Sequence, residues 1–116
     1  MNLVTGGAGH LGNVLVRALL DKGEKVRVLV LPGEDVSSLE GLDYEKVEGN
    51  ILDYTQLCTA MEGVELVYHL AALVAITSDQ YELMYKVNVE GTRNVIAACR
   101  EMGVRRLVYT SSIHAL

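Results

Sequence analysis

Short apolar runs along the chain alternate with stretches in which apolar residues recur every three or four positions. The apolar runs predict strands at residues 2–5, 25–31, 66–70 and 106–110, and residues 44–48 are predicted to form the third strand in chain order. The periodic stretches predict helices after the first, third and fourth of these strands. Because strands alternate with helices, we expect an α/β fold with parallel pairing through right-handed crossovers. Five strands in this rhythm indicate a doubly wound sheet in the order 3-2-1-4-5, with helices on both faces.

Capping and stop signals set the ends of the predicted helices. Gly23 ends the first helix, and Gly103 closes the last and longest one. Asp53 has the N-cap chemistry for the second helix, and Gln56 three residues on completes a capping box. The inner face of the longest helix consists of Met84, Val87, Gly91, Val95, Ala98 and Met102. Residues 32–42 are predicted to form a loop with a short helical turn.

The segment TGGAGHLG, residues 5–12, joins the first strand to the first helix. It fits two overlapping fingerprints: G-x-G-x-x-G beginning at Gly7, and T-G-x-x-G-x-x-G with Gly6, Gly9 and Gly12. A helix N-terminus presents unpaired N–H groups and about half a positive charge, which suit a pyrophosphate. Glycines lack a Cβ atom, so phosphates can approach the backbone closely. The position at the switch point of a Rossmann-like sheet favours dinucleotide binding over the alternative, a tight glycine turn without a ligand.

Composition narrows the class of protein further. The 116 residues suffice for one domain, half of them are hydrophobic, and the net charge is −5. Acidic and basic residues are interspersed without a Lys/Arg cluster, so we expect no nucleic-acid partner. The longest nearly apolar run, residues 66–76, is too short for a bilayer crossing and no signal peptide is visible, so we expect no membrane partner. Cys58 and Cys99 form neither a disulfide framework nor a metal site, which favours a cytoplasmic location.

Five segments together resemble a known family. They are TGGAGHLG at 5–12, EGNILD at 48–53, YHLAA at 68–72, NVEGTRNV at 88–95 and VYTSS at 108–112. In this order and spacing they resemble the extended short-chain dehydrogenase/reductase family, most closely its NAD(P)-dependent nucleotide-sugar epimerases/dehydratases and dihydroflavonol-reductase-like enzymes. The resemblance implies an oxidoreductase or epimerase that acts on a sugar nucleotide or another secondary alcohol or ketone by hydride transfer. It also implies that residues 1–116 are an NAD(P)-binding Rossmann domain, truncated at its C-terminal end and without the substrate domain.

The resemblance assigns cofactor contacts to one edge of the predicted sheet. These contacts are Gly6, Gly9, His10, Leu11, Gly12, Leu31, Asn50, Ile51, Leu70, Ala71 and Ala72. Asn50 and Ile51 would contact adenine; the family usually has Asp at position 50, but an amide oxygen still accepts from the adenine amino group. Asp53 matches a recurrent acid of the family, or it serves only as the helix cap. Ala71 and Ala72 would let the cofactor pass close to the fourth strand, or else they pack at the strand end.

The resemblance also assigns two catalytic positions. Asn88 corresponds to the asparagine that supports the active-site hydrogen-bond network, and a locally bonded helix asparagine is the alternative. Ser112 corresponds to the catalytic hydroxyl that orients the substrate oxygen; Ser111 is the adjacent contender, and a plain serine turn is a third interpretation. His69 receives no role from the resemblance, and we interpret it as a buried histidine with satisfied hydrogen bonds.

The end of the second strand lacks the usual cofactor selector. An acid there accepts from the ribose 2′-OH of NAD and an Arg there accommodates the 2′-phosphate of NADP, but this chain has Leu31. Glu34 and Asp35 lie slightly beyond and could fold back to accept from the 2′-OH. We therefore predict NAD or NADP as the cofactor, with NAD preferred.

The family's general acid/base, a Tyr with a Lys four residues later, is absent from the sequence. None of the six tyrosines is followed by Lys at that spacing, and Tyr81 and Lys86 are five residues apart. We expect this chain to bind the dinucleotide without turning over substrate. The alternative is a stand-alone, non-catalytic dinucleotide-binding or redox-sensing module. The fifth strand lacks its next neighbour, so we expect its apolar edge to aggregate or to support a homodimer.

Overall fold

A parallel β-sheet forms the centre of the protein. The computed structural model describes residues 1–70 and 86–109. Within these residues the strands are β1 (Asn2–Thr5), β2 (Val26–Val30), β3 (Glu45–Glu48), β4 (Leu66–His69) and β5 (Arg106–Tyr109). They pair in the order β3-β2-β1-β4-β5, and every pairing is parallel. The predicted doubly wound sheet and its strand order are therefore confirmed, with β1 at the centre.

Helices cover both faces of the sheet. They are α1 (His10–Asp21), α2 (Tyr54–Ala60) and α3 (Thr92–Glu101), together with a 3-10 turn at Ser37–Leu39 and a π-helical segment at Lys86–Gly91. The predicted short helical turn in the loop after β2 is thus present. None of the helices in residues 1–70 and 86–109 combines the length and apolar character that a bilayer crossing requires.

Two apolar cores lie on opposite faces of the sheet because successive strand side chains point in opposite directions. Leu3 of β1 packs with Leu57 of α2 and Val95 of α3 in one core. Val4, the next residue, packs with Val16 of α1 in the other core. All five side chains are fully buried, so each face of the central strand is closed by a helix.

The edge strand β3 differs from the central strands in its exposed, charged side chains. Arg27 of β2 holds it in place through a 2.8 Å ion pair with Glu45. The same guanidinium donates to the carbonyl oxygens of Ala60 and Glu62, at the end of α2. Charged residues on an edge strand discourage pairing with another chain, so this side of the sheet is protected.

The prediction of the longest helix is wrong in one respect. Its C-terminal part is the α-helix α3, but residues Lys86–Gly91 form a π-helical segment. Met84, the first residue of the predicted inner face, lies outside the described residues. Apolar spacings of three and four residues fit a single π-helical turn as well as an α-helical one, so the periodicity did not separate the two.

Only one of the two hydrogen bonds of the predicted capping box is present at the start of α2. Asp53 accepts a hydrogen bond from the backbone N–H of Gln56 at 3.1 Å, as expected of an N-cap. The Gln56 side chain does not return the bond to Asp53, because its Oε1 accepts from the backbone N–H of Asn50 at 2.8 Å. The N–H of Asp53 donates instead to the carbonyl oxygen of Asn50 at 2.9 Å. Gln56 therefore joins the helix start to the end of β3.

Candidate functional site

The glycine loop is packed so tightly that two of its positions exclude side chains. Gly6 has a φ of 78°, in the left-handed region that favours glycine, and its carbonyl oxygen accepts from the N–H of Gly9 at 3.1 Å. A Cβ atom on Gly12 would lie 2.0 Å from that same oxygen. A Cβ atom on Gly7 would lie 2.8 Å from a methyl group of Val28. The loop is therefore folded onto both the helix α1 and the neighbouring strand β2.

Gly9 is different from its neighbours because it has room for a side chain. Among the described residues, a Cβ atom on Gly9 would meet the carbonyl oxygen of Gly6 alone, at the ordinary contact distance of 3.4 Å. Its backbone, with φ −74° and ψ 177°, is extended and open to any residue. Gly9 is exposed, so the space beside its Cα faces outward. Packing among the described residues therefore does not require the absence of a side chain at position 9.

Among residues 1–70 and 86–109, no side chain caps the N-terminus of α1. Gly9 is the N-cap and provides no side-chain hydrogen bond, and the first turn contains no acidic residue. The Asn13 side chain donates to the carbonyl oxygens of Gly9 and His10, so it does not cap the N–H groups. His10 and Leu11 are exposed. The uncapped N–H groups and the positive end of the helix dipole are therefore features that suit an anion.

The loop after β2 closes onto the glycine loop. Leu31 is 49% exposed, and its backbone N–H donates to Oε1 of Glu34 at 2.9 Å. Asp35 turns the other way and accepts from the N–H of Ser37 at 2.9 Å; this bond holds the pKa of the Asp35 carboxyl below its usual range. The hydroxyl of Ser38 donates to the carbonyl oxygen of Ala8 at 2.8 Å. The residues that follow β2 and the glycine loop thus share one corner of the molecule.

The residues predicted to contact adenine follow β3. Asn50 is exposed, and its Oδ1 accepts from the N–H of Leu52 at 2.9 Å. The side chain of Ile51 is only 7% exposed and lies in the core with α2 and α3. The Ile51 carbonyl oxygen accepts from Nδ2 of Asn94 at 3.0 Å. Asn50 therefore presents its side chain at the surface of this corner, whereas Ile51 serves the core.

His69 lies at the carboxyl end of β4 and is 2% exposed. Its Nδ1 is 2.7 Å from the hydroxyl of Thr5, and its Nε2 is 3.0 Å from the hydroxyl of Thr92. Its ring stacks on Tyr109 with the ring centres 5.5 Å apart. Burial lowers the pKa of His69 to about 4, so the ring is neutral near pH 7. The interpretation of His69 as a buried, hydrogen-bonded histidine is confirmed.

The two threonines that hold His69 were not identified from the sequence. Thr5 ends β1, and its hydroxyl also accepts from the N–H of Leu70 at 3.1 Å. Thr92 begins α3, beside the π-helical segment that carries Asn88. The signal available in the sequence was that each threonine stands next to a glycine, as Thr5-Gly6 and as Gly91-Thr92. From its position at the end of β4, His69 thus connects β1 through Thr5 and α3 through Thr92.

Of the remaining predicted site residues, some lie within the described part of the chain and others do not. Asn88 is half-buried in the π-helical segment, a type of turn that recurs at functional sites. Leu70 is half-buried directly after β4 and packs against the core beneath α1. Ala71, Ala72, Ser111 and Ser112 lie outside the described residues. Within residues 1–70 and 86–109, no group of three His, Cys, Asp or Glu side chains is arranged to hold a metal ion.

Comparison with known proteins identifies the class to which this sheet and glycine loop belong. The model of the 3-beta hydroxysteroid dehydrogenase/isomerase family matches residues 3–116, and the chain belongs to that family. Its relatives include reductases and NAD-bound epimerases, which confirms the resemblance found in the sequence to extended short-chain dehydrogenases/reductases.

Individual relatives match along nearly the whole chain. "Sterol demethylase protein B" of Methylococcus capsulatus is 47% identical over 98% of the chain, and the chain covers 35% of that protein. A putative dihydroflavonol 4-reductase of Synechocystis is 39% identical over 97% of the chain, which covers 33% of it. A short-chain dehydrogenase/reductase superfamily protein of Agrobacterium tumefaciens, solved with bound NAD, is 39% identical with a TM-score of 0.84; the match covers 97% of this chain and 32% of that one. The chain thus spans about a third of the length of the relatives it matches.

Proposed function

We propose that residues 1–116 are the NAD(P)-binding Rossmann domain of an oxidoreductase or epimerase. The whole protein would act on a sugar nucleotide or another secondary alcohol or ketone by hydride transfer. The observation that carries the proposal is the contact between Gly12 and Gly6, which folds a glycine loop against the uncapped N-terminus of α1. The reductases and NAD-bound proteins among the relatives support the same class of activity.

The described residues fit a dinucleotide in three respects. The bare Gly9 and the uncapped first turn of α1 suit a pyrophosphate, which needs N–H donors and close approach to the backbone. Leu31 and Glu34 lie at the end of β2, where the adenosine ribose binds in this type of sheet. Asn50, on the surface after β3, retains acceptor capacity on its amide oxygen for the adenine amino group. The nicotinamide, when bound, supplies or accepts the hydride.

The residues of this chain bind and position rather than complete the chemistry. Neutral His69, bonded to Thr5 and Thr92, holds the strand ends and the start of α3 in register. By resemblance Asn88 supports the active-site hydrogen bonds, and Ser112 orients the substrate oxygen. A Tyr followed four residues later by Lys is not present in the 116 residues. We therefore propose that this chain binds the dinucleotide without catalysing turnover.

Thermal unfolding of the 116-residue chain with NAD, with NADP and without ligand tests the binding. A ligand at a thousandfold excess over its Kd adds about 4 kcal/mol to the free energy of unfolding, which raises Tm measurably. The matched variant is Gly9→Ala, because position 9 accepts a Cβ atom without a clash. We expect its unliganded Tm to equal that of the wild type and its ligand-induced shift to disappear. A wild type that responds to neither dinucleotide, or a Gly9→Ala chain that responds fully, would refute the proposal.

We also propose that the chain self-associates through β5. Val108 and Tyr109 on this edge strand are 37% and 48% exposed, whereas the opposite edge β3 is charged. Apolar edge strands pair readily with a second chain. Light scattering should show a dimer whose fraction rises with protein concentration, and Val108→Lys should give a monomer. A wild type that is monomeric at every concentration would contradict this proposal.

We place the protein in the cytoplasm on the basis of its thiols. Cys58 and Cys99 are both free, and burial raises the pKa of the Cys99 thiol to about 11, which makes it unreactive. Reduced cysteines are usual in a reducing compartment. Fractionation of cells that express a tagged chain tests this location, and recovery from an oxidising compartment would contradict it.

A further inference from the structure

The loop between β2 and β3 is acidic throughout. Residues 31–43, LPGEDVSSLEGLD, contain four acidic side chains and no Lys or Arg. Among the described residues, Arg17 is the cation that hydrogen-bonds to this loop, and its guanidinium donates to the carbonyl oxygen of Ser38 at 2.9 Å. The loop itself therefore carries a net negative charge, which disfavours an additional phosphate group next to it.

Glu34 is held back against the end of β2 by two hydrogen bonds. Its backbone N–H donates to the carbonyl oxygen of Leu31 at 3.0 Å, and its Oε1 accepts from the N–H of Leu31 at 2.9 Å. The turn between them is Pro32-Gly33, and Gly33 has the φ of 80° that such a turn requires. The carboxylate is thus returned to the strand end, although the residue lies four positions beyond Val30, the last residue of β2. Among the described residues its second oxygen, Oε2, has no recorded hydrogen bond and can accept from a ligand hydroxyl.

Asp35 does not share this placement. Its Oδ1 accepts from the N–H of Ser37 and fixes the start of the 3-10 turn. Ser38, the middle residue of that turn, donates to the carbonyl oxygen of Ala8 at 2.8 Å, which anchors the loop to the glycine loop. The two neighbouring acids are thereby separated in role: Glu34 returns to β2, and Asp35 shapes the turn that holds the loop in position.

We propose that Glu34 determines the choice of dinucleotide, in place of the acid that the end of β2 lacks at Leu31. Glu34 Oε2 accepts from a ribose hydroxyl of NAD, and the same carboxylate repels the 2′-phosphate of NADP. This inference rests on the proposed dinucleotide binding and adds to it the residue that discriminates between the two cofactors.

The test compares Glu34→Gln with Asp35→Asn in the 116-residue chain. Both substitutions remove one negative charge and keep a side-chain oxygen for the local hydrogen bond. Isothermal titration would give the Kd for NAD and for NADP at low and high salt. We expect the wild type to prefer NAD by about tenfold or more at low salt, and Glu34→Gln to bring the two Kd values within about threefold. Asp35→Asn should leave the preference within about twofold of the wild type.

The outcomes separate this inference from the proposed function. A wild type that binds NADP as well as NAD, or a Glu34→Gln chain with an unchanged preference, would overturn the role of Glu34 while dinucleotide binding stands. An equal loss of preference in Asp35→Asn would show that the overall charge of the loop, rather than Glu34, discriminates. A wild type that binds neither dinucleotide would refute both proposals.

Discussion

The carbonyl oxygen of Gly6 lies 2.0 Å from the position that a Cβ atom on Gly12 would occupy. The contact joins the turn after the central strand to the first turn of α1, backbone against backbone. A side chain at position 12 would displace a peptide group rather than a flexible side chain. The glycine fingerprint therefore contains two kinds of position: the fold requires a glycine at position 12, whereas position 9 has space for a Cβ atom among the described residues.

Gly12→Ala should destabilise the chain strongly. Because the clash is with backbone atoms of Gly6 and Gly7, relief requires α1 to move away from β1, and we expect a loss of about 3 kcal/mol or more. Urea unfolding followed by circular dichroism measures this loss. Gly9→Ala is the matched control and should change the free energy of unfolding by less than about 1 kcal/mol. Equal losses in the two variants would contradict the assigned geometry.

The close contact between Gly91 and Ile51 gives a second prediction. A Cβ atom on Gly91 would lie 2.5 Å from Cδ1 of Ile51, the end of a side chain that can be shortened. Gly91→Ala alone should cost about 1–3 kcal/mol by overpacking, and Ile51→Val alone about 1 kcal/mol. The double variant should cost less than the sum, because Val lacks the clashing Cδ1 atom. Additive losses in a double-mutant cycle would exclude this contact as the cause.

The strands and their order were predictable because their signals are local. The sequence pattern placed all five strands to within one residue at each end, and parallel order followed from the alternation with helices. Asp53 was likewise recognised as a cap from its own residue type and position. The prediction of a complete capping box failed because two backbone N–H groups, those of Asn50 and Asp53, compete for the side-chain oxygen of Gln56. The sequence does not reveal that this oxygen accepts from Asn50.

The surroundings of His69 show why the site was predictable only in part. Its two partners, Thr5 and Thr92, lie 64 and 23 positions away in the chain, so no local pattern connects them. The sequence indicated that Glu34 and Asp35 could fold back toward a ribose 2′-OH, but not that Glu34 bonds to the N–H of Leu31 while Asp35 bonds to that of Ser37. Contacts that depend on the assembled sheet or on side-chain rotation are not encoded in residue spacing.

The N-cap of α2 yields a prediction with a built-in control. Asp53→Ala removes the acceptor for the N–H of Gln56 and should cost about 1 kcal/mol in the free energy of unfolding. Asp53→Asn keeps an acceptor of the same shape and should cost only a few tenths of that amount. Both variants should retain the dinucleotide-induced shift in Tm, since Asp53 serves the helix. Loss of that shift in Asp53→Asn would assign the carboxylate to the cofactor instead.

The neutral, buried state of His69 makes stability depend on pH. Its pKa is lowered to about 4 in the folded chain, whereas an unfolded histidine has a pKa of 6.5, so the unfolded state binds more protons between these values. The contribution of His69 is therefore complete above about pH 6.5 and is lost progressively as the pH falls toward 4, by about 3 kcal/mol in total.

Urea unfolding at pH 4 to 7.5 should show this decline in the wild type and a flatter curve in His69→Gln, whose side chain does not titrate. His10→Gln, at an exposed position outside the Thr5–Thr92 network, is the control and should follow the wild-type curve. Carboxylates contribute below about pH 5 in all three chains, so the difference between curves carries the signal. Parallel curves for wild type and His69→Gln would mean that His69 does not titrate differently on folding, and that its neutral, doubly bonded state does not stabilise the fold.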